Sequence, residues 1–238
     1  MVCICIAHKR KDDSMLYILD TADREAIRHC NEFYPLWGVT TNPSIIAKEK
    51  EDFWTLLEDI REIIGPDKAL FVQTVQKTSD KIVAEAKLLR DRLGNNFYVK
   101  IPISEEGLKA TMLLKKLGIG VLVTAIFTPA QALVAAKAGA DFVAPYVNRL
   151  DNILGDGINV VAEIVEQFKN FSLDTKVLAA SFKSAEQIHK CAVAGCHAAT
   201  LSADAMKMII GHPMTDASVA GFEKDWKAVY GDKTILDF

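Results

Sequence analysis

Short apolar runs alternate with longer stretches of helical periodicity along most of this chain. The runs are rich in β-branched and aromatic residues and end at turn-forming residues, a pattern typical of short buried β-strands. They predict eight strands, over residues 16–20, 37–41, 69–75, 97–102, 120–127, 141–147, 176–182 and 197–202. Helix signals lie between them, such as Thr21 after the first run and Ser104 before Glu105 and Glu106.

Strands that alternate with helices predict a parallel sheet, because parallel neighbours need a long crossover connection. With eight such units in 238 residues, we expect an α/β fold, a single (β/α)8 TIM barrel with extra C-terminal helices. The alternative is an open doubly wound sheet, but no Gly-rich turn of the kind that binds a dinucleotide follows the first strand.

No linker rich in Pro, Gly or Ser divides the chain. We therefore expect residues 15–238 to form one barrel, with its last helix over residues 216–230. Residues 1–14 are expected to be an extension outside the barrel. In that extension the charges follow the apolar residues instead of preceding them, which is the wrong order for a secretory signal.

One strand carries a lysine in its middle. The run from Phe97 to Pro102 is apolar apart from Lys100, and alternation places Tyr98, Lys100 and Pro102 on one face of the strand. A lysine enclosed in a barrel loses solvation of its ammonium form, so its pKa falls and a neutral amine becomes available. Such an amine can attack a carbonyl to form a Schiff base. The alternative is a lysine near a strand end that extends to solvent.

Polar residues follow the other predicted strands at their C-terminal ends, which meet at one mouth of a TIM barrel. A single polar residue at a strand end is commonly a helix cap or turn residue, but here nearly every strand supplies one. They are Asp20, Thr41 with Asn42, Gln73, Thr124, Tyr146 with Asn148 and Arg149, Ser181 with Lys183, and Ser202. Together they predict a pocket for carbonyl chemistry with proton transfers. Arg149, Ser181 and Lys183 suit a phosphate monoester, although solvated rim cations are the alternative.

Composition narrows the function classes. The formal net charge is −3 with interleaved signs, which predicts a small-molecule partner and no nucleic acid. No apolar run is long enough to span a membrane. Five cysteines without a CxxC pair favour free thiols in a cytoplasmic protein. The histidines show no ligand spacing, so we expect no metal.

Five motifs, in order, resemble those of the small transaldolase and fructose-6-phosphate aldolase family. They are Tyr17-Ile18-Leu19-Asp20-Thr21, Gly38-Val39-Thr40-Thr41-Asn42-Pro43-Ser44, Val99-Lys100-Ile101-Pro102, Ala144-Pro145-Tyr146-Val147-Asn148-Arg149 and Ala179-Ala180-Ser181-Phe182-Lys183. The resemblance implies a (β/α)8 barrel and a class I mechanism without a cofactor, in which Lys100 forms the Schiff base. It also implies rings of five subunits paired into decamers, with the C-terminal helix reaching a neighbour.

The resemblance further implies roles for the other residues. Asp20 would move protons on the substrate hydroxyls, and Gln73, Thr124 and Tyr146 would hold or work with a catalytic water. The substrate would be bound by Thr41, Asn42, Asn148 and Ser181, with Arg149 and Lys183 near its phosphate. Phe127 and Val123 depart from the tyrosine and glycine expected in close aldolase relatives.

Gln73 and Tyr146 indicate which branch of the family the chain resembles. Transaldolases of the family have glutamate and phenylalanine at these positions, whereas the aldolase branch has the glutamine and tyrosine found here. The expected reaction is therefore cleavage or formation of fructose 6-phosphate from dihydroxyacetone and glyceraldehyde 3-phosphate. A transaldolase and a non-catalytic barrel that binds sugar phosphates remain the alternatives.

Overall fold

Residues 15–238 are described by a computed structural model, and they form a closed barrel of eight parallel strands. Each strand pairs with its sequence neighbours, and β1 pairs with β8 to close the barrel. The strands are β1 (Leu16–Asp20), β2 (Leu36–Thr40), β3 (Ala69–Gln73), β4 (Phe97–Pro102), β5 (Gly120–Ile126), β6 (Phe142–Pro145), β7 (Lys176–Ala179) and β8 (Ala198–Leu201). The prediction of a (β/α)8 barrel is confirmed. The predicted extension over residues 1–14 lies outside the described residues.

The helices surround the strands and extend beyond the barrel at the C-terminal end of the chain. They are α1 (Arg24–Phe33), α2 (Pro43–Glu49), α3 (Phe53–Ile64), α4 (Ser79–Leu93), α5 (Glu105–Lys116), α6 (Pro129–Lys137), α7 (Val147–Asp151), α8 (Gly157–Asn170), α9 (Ala185–Val193), α10 (Ala203–Ile210) and α11 (Pro213–Tyr230).

Helix caps explain where several of these helices begin. Ser104 caps α5 as predicted, because its hydroxyl accepts from the Gly107 N–H. At α1 the cap is Asp23 and not Thr21, since the Asp23 carboxylate accepts from two N–H groups of the first turn. Two short helices, α2 and α7, were not predicted. The first is capped by Asn42, whose side-chain oxygen accepts from the Ile45 N–H shortly after β2 ends.

The barrel interior is filled in layers by side chains from alternate strands, as is usual for this fold. Trp37, Phe71, Tyr98 and Phe142 form an aromatic cluster with ring centroids 4.8–6.1 Å apart. This cluster fills the interior below Lys100. Gly38 permits β2 to approach β3 closely, since a Cβ there would lie 2.3 Å from the Ala69 carbonyl oxygen. The aromatic cluster therefore leaves the interior near the C-terminal ends of the strands free for a cavity.

Several reactive side chains away from the mouth have structural roles. The His197 Nδ1 accepts a hydrogen bond from the Val177 N–H at 3.0 Å, and burial lowers the His197 pKa, so the ring stays neutral. Burial raises the pKa of the Cys191 and Cys196 thiols to about 12, which leaves them inert packing groups. No helix among residues 15–238 is long and apolar enough to cross a membrane.

Candidate active site

A cavity of about 160 Å³ opens at the C-terminal ends of the strands. Its apolar lining residues are Leu122, Ala144, Leu178 and Ala180. The other lining residues are polar; they are Asp20, Thr40, Asn42, Lys100, Thr124, Tyr146, Arg149, Ser181 and Thr200. The volume equals roughly five water molecules. The cavity therefore suits a small, oxygen-rich molecule.

Lys100 lies in this cavity with only 5% of its surface exposed. Its Nζ donates a hydrogen bond to the main-chain oxygen of Thr41 at 2.7 Å. Burial lowers the Lys100 pKa because the ammonium form loses its hydration, and the negative charge of Asp20 opposes this fall only in part. The side chain is thus an oriented amine with a diminished tendency to hold a third proton.

Asp20 is held by a chain of side-chain hydrogen bonds. The hydroxyl of Thr40 donates to the Asp20 Oδ1 at 2.7 Å, and the same hydroxyl lies 2.5 Å from that of Thr200. Both threonines are buried. Sequence reasoning missed these two residues. The signal for them lies in the registers of β2 and β8 beside β1, which become visible only when the barrel is closed.

Tyr146 lines the same cavity as Lys100 and directly follows β6, two strands along the barrel from β4. Its hydroxyl is 3.0 Å from that of Thr124, its ring contacts Phe127 edge to face with centroids 5.6 Å apart, and the Arg149 guanidinium lies 4.7 Å from its centroid. The phenol is therefore fixed by one hydrogen bond and two ring contacts. It can act as a proton donor at a defined position.

Two residues at the mouth have strained backbones. Ala125 and Ser181 have φ angles of 58° and 65°, in the left-handed region that residues with a Cβ seldom adopt. Ala125 follows Thr124 directly, and the Ser181 main-chain oxygen accepts from the Asn148 N–H at 2.8 Å. Such strain is common at functional sites, where the surrounding structure holds it in place.

Seven of the residues predicted from sequence line the cavity together: Asp20, Asn42, Lys100, Thr124, Tyr146, Arg149 and Ser181. The others lie elsewhere. The Thr41 hydroxyl donates to the Phe71 main-chain oxygen, so only the carbonyl of Thr41 reaches Lys100. Gln73 pairs with Lys100 in register but lines two neighbouring grooves. The remaining two, Asn148 and Lys183, are described next.

Gln187 of α9 organises the rim where a phosphate was predicted. Its side-chain nitrogen donates to the side chains of Asn148 at 3.3 Å and Asp151 at 2.6 Å, and its side-chain oxygen accepts from the Lys183 N–H at 2.8 Å. The Lys183 side chain itself is exposed. Ser202, also predicted at the rim, caps α10 through the Ala205 N–H. Within residues 15–238, no group of three or more His, Cys, Asp or Glu residues is arranged to hold a metal ion.

Comparison with known proteins gives one family. The model of the transaldolase/fructose-6-phosphate aldolase family matches residues 17–233, which is most of the chain and includes every cavity residue described above.

Solved structures resemble the chain in fold. A structure described as native KDPGal is 18% identical with a TM-score of 0.55, and the match covers 80% of this chain and 82% of that one. A mandelate oxidase variant with an FMN adduct is 12% identical with a TM-score of 0.56, covering 81% of this chain and 65% of that one. A designed cube-shaped protein cage is 16% identical with a TM-score of 0.58, and the match covers 91% of this chain and 77% of that one. At these identities the likeness concerns the barrel fold alone.

Proposed function

The chain belongs to the transaldolase/fructose-6-phosphate aldolase family, and we propose that it is a class I aldolase that cleaves or forms fructose 6-phosphate. The products of cleavage are dihydroxyacetone and glyceraldehyde 3-phosphate. The observation that carries the proposal is the enclosure of Lys100, whose Nζ is buried, has a lowered pKa and adjoins a small polar cavity. A neutral amine at such a position is the nucleophile that Schiff-base chemistry requires.

In the proposed reaction, the Lys100 amine attacks the ketone carbon of the substrate. Loss of water then gives an iminium ion, which accepts the electron pair of the carbon–carbon bond that breaks. Asp20 takes the proton from the hydroxyl that becomes the aldehyde, and the aldehyde leaves. The remaining enamine is protonated at carbon, and water hydrolyses the iminium to release dihydroxyacetone and free Lys100. The lysine and the proton-transferring groups supply all steps, so no cofactor enters.

Tyr146 and Thr124 support proton delivery to the enamine. Their hydroxyls are 3.0 Å apart, and a water held between them and the enamine carbon would receive its proton from the phenol. The main alternative is a transaldolase that passes the three-carbon unit to an acceptor sugar phosphate. A barrel that binds sugar phosphates without reaction is disfavoured by the combination of Asp20, Lys100 and Tyr146 in one cavity.

Borohydride trapping of the unmodified protein tests the proposal. With dihydroxyacetone and borohydride together, we expect one reduced three-carbon adduct per subunit, located on the peptide that contains Lys100. Borohydride alone is the control and should give no adduct. No adduct at any lysine, with the protein folded, would reject class I chemistry.

We further propose that Arg149 and Lys183 bind the substrate phosphate. Replacement of either residue by Ala should raise KM for fructose 6-phosphate about 10- to 100-fold, since a charge-assisted hydrogen bond contributes about 1.5–3 kcal/mol. KM for dihydroxyacetone in the synthetic direction should change little. Arg149 lines the cavity, so its effect should exceed that of the exposed Lys183.

The matched control is Lys190→Ala, which removes an exposed cation from α9 that pairs with Glu186 at 2.6 Å. It should leave both KM values unchanged. Equal losses for phosphorylated and unphosphorylated substrates in the Arg149 and Lys183 variants would mean that these cations support the scaffold and do not bind phosphate.

We also propose that the chain forms a cytoplasmic homo-oligomer, pentameric or decameric, through α11. Every residue from 211 to 238 is exposed in the single chain. Phe222 and Val229 of α11 are 71% and 72% exposed, whereas Trp226 and Tyr230 contact each other and Phe238. Apolar side chains on an otherwise unsupported helix need a partner surface. The buried free thiols Cys30, Cys191 and Cys196 suit a reducing compartment.

Phe222→Glu should reduce the molar mass measured by light scattering from that of an oligomer toward that of one subunit. A buried unpaired charge is costly, so the association should weaken strongly. Lys224→Glu, a charged substitution of an exposed polar residue of the same helix, is the control and should keep the mass of the unmodified protein. A single-subunit mass for the unmodified chain at micromolar concentration would contradict the oligomer.

A further inference from the structure

The hydroxyl of Thr200, like those of Thr40 and Thr124, bonds to another side chain of the cavity. Thr41, Thr111 and Thr175 donate to the main-chain oxygens of Phe71, Gly107 and Ala140, which is how a buried hydroxyl is usually satisfied. The hydroxyl of Thr200 instead lies 2.5 Å from that of Thr40. In the part of the chain that the structure describes, this is the only hydrogen bond of the Thr200 side chain.

The hydrogen bonds run in one direction. A threonine hydroxyl has one hydrogen to donate and lone pairs to accept with. Since Thr40 donates its hydrogen to the Asp20 carboxylate, the hydrogen in the bond between the two threonines must come from Thr200. Thr200 therefore donates to Thr40, and Thr40 donates to Asp20. The first bond polarises Thr40 and makes it a stronger donor to the carboxylate.

The threonine pair also spans the barrel closure. Thr200 belongs to β8, Asp20 to β1 and Thr40 to β2, and in register Thr200 lies beside Ile18 while Thr40 lies beside Asp20. The residue that follows β2, Thr41, accepts the hydrogen bond from the Lys100 Nζ through its main-chain oxygen. The end of β2 therefore contacts both the carboxylate and the amine of the site, and Thr200 restrains it from the far side of β1.

We propose that Thr200 is a positioning residue, which orients Thr40 and through it the Asp20 carboxylate for proton transfer when the carbon–carbon bond breaks. The inference rests on the proposed aldolase function of the same cavity. The Thr200 hydroxyl bonds to Thr40, whereas the Lys100 Nζ bonds to the Thr41 main-chain oxygen, so Schiff-base formation and bond cleavage should respond differently to loss of the Thr200 hydroxyl. A loss of cleavage without a loss of Schiff-base formation would distinguish a role in positioning Asp20 from a general role in stabilising the barrel.

Thr200→Val removes the hydroxyl and keeps the branched shape. We expect kcat for fructose 6-phosphate cleavage to fall about tenfold, as for the loss of one hydrogen bond, with KM changed less than twofold. The yield of borohydride-trapped dihydroxyacetone on Lys100 should stay within twofold of the unmodified protein. Thr200→Ser keeps the donor and should restore kcat to within about threefold of the unmodified value.

The matched control is Thr175→Val, which removes a buried hydroxyl at the opposite end of the barrel, where it donates to the Ala140 oxygen. Its melting temperature should fall as for Thr200→Val, but its ratio of cleavage to trapping should not change. Cleavage by Thr200→Val within twofold of the unmodified protein would overturn the proposal. Equal losses of trapping and cleavage without rescue by serine would also overturn it.

The proposed function can fail separately from this inference. If the unmodified protein forms no adduct on Lys100, the aldolase proposal is rejected before the Thr200 variants are compared. If it forms the adduct and cleaves the substrate, the Thr200 variants decide the positioning role alone.

Discussion

Lys100→Met is expected to abolish both turnover and borohydride trapping, and to raise the melting temperature of the protein. The thioether cannot form an iminium, so no alternative nucleophile remains in the cavity. The rise in stability follows from burial, because the folded chain has to hold an ionisable amine at 5% exposure away from water. Each kcal/mol gained in the free energy of unfolding raises the melting temperature by about 2–4 °C for a chain of this size. Trapping with mass mapping and thermal unfolding measure the two effects.

The stability gain should depend on pH with a definite sign. The folded-state pKa of Lys100 lies below its ordinary value of 10.5. Between these two values the unfolded chain binds a proton that the folded chain does not, so the free energy of unfolding of the unmodified protein rises with pH. The advantage of Lys100→Met is therefore largest at and below the folded pKa, and it should shrink as the pH approaches 10.5.

Two controls accompany this variant. Lys100→Arg keeps a cation but cannot supply a neutral amine, so it should also lose trapping while gaining no stability. Lys137→Met changes a solvent-exposed lysine of α6 and should alter neither trapping nor the pH dependence. A reduced adduct on any lysine other than Lys100 would contradict the assignment of the nucleophile.

Tyr146→Phe is expected to suppress release of free dihydroxyacetone by about 100-fold or more, the usual effect of removing a general acid. Schiff-base formation at Lys100 should persist, because the phenol bonds to Thr124, whereas the Lys100 Nζ is held by the Thr41 main-chain oxygen. The assay follows glyceraldehyde 3-phosphate from fructose 6-phosphate, with and without erythrose 4-phosphate as acceptor. The unmodified protein should form product without acceptor, since Tyr146 can protonate the enamine directly or through a water.

The variant should shift the balance between the two reactions. Without the phenol the enamine survives longer, so added erythrose 4-phosphate should restore part of the product formation. Tyr98→Phe is the matched control, because Tyr98 belongs to the aromatic cluster below the cavity and its loss of a hydroxyl should not change release. If the unmodified protein forms product only with acceptor, the chain is a transaldolase and the role assigned to Tyr146 is wrong.

The aldolase and transaldolase hypotheses differ in the proton-transfer chemistry that the residues at positions 73 and 146 can supply. A glutamate could take a proton and return it through a water, whereas Gln73 can only orient that water and leaves proton delivery to a phenol. Gln73 pairs with Lys100 across β3 and β4 and lines two grooves beside the cavity, while Tyr146 and Thr124 line the cavity itself. The Tyr146 experiment therefore tests the function of the site more directly than any change at Gln73.

The sequence by itself determined the fold and the buried lysine that we propose as the nucleophile. Eight apolar runs separated by helical segments allow few arrangements other than a parallel barrel, and a single lysine inside an aromatic and β-branched run identifies Lys100. The sequence also predicted the start of α5 at Ser104 correctly, because a helix cap and its N–H partner lie within one turn of each other.

Only the tertiary structure decided which hydroxyls serve the cavity. The residue predicted from β2 was Thr41, but Thr40 points inward, since a register shift occurs between Tyr17 and Ile18 of β1 where it pairs with β2. A shift of one residue exchanges the two faces of a strand, and nothing local to Thr40 and Thr41 reveals it. Thr200 lies 160 positions from Thr40 along the chain, and closure of β8 onto β1 brings their hydroxyls together.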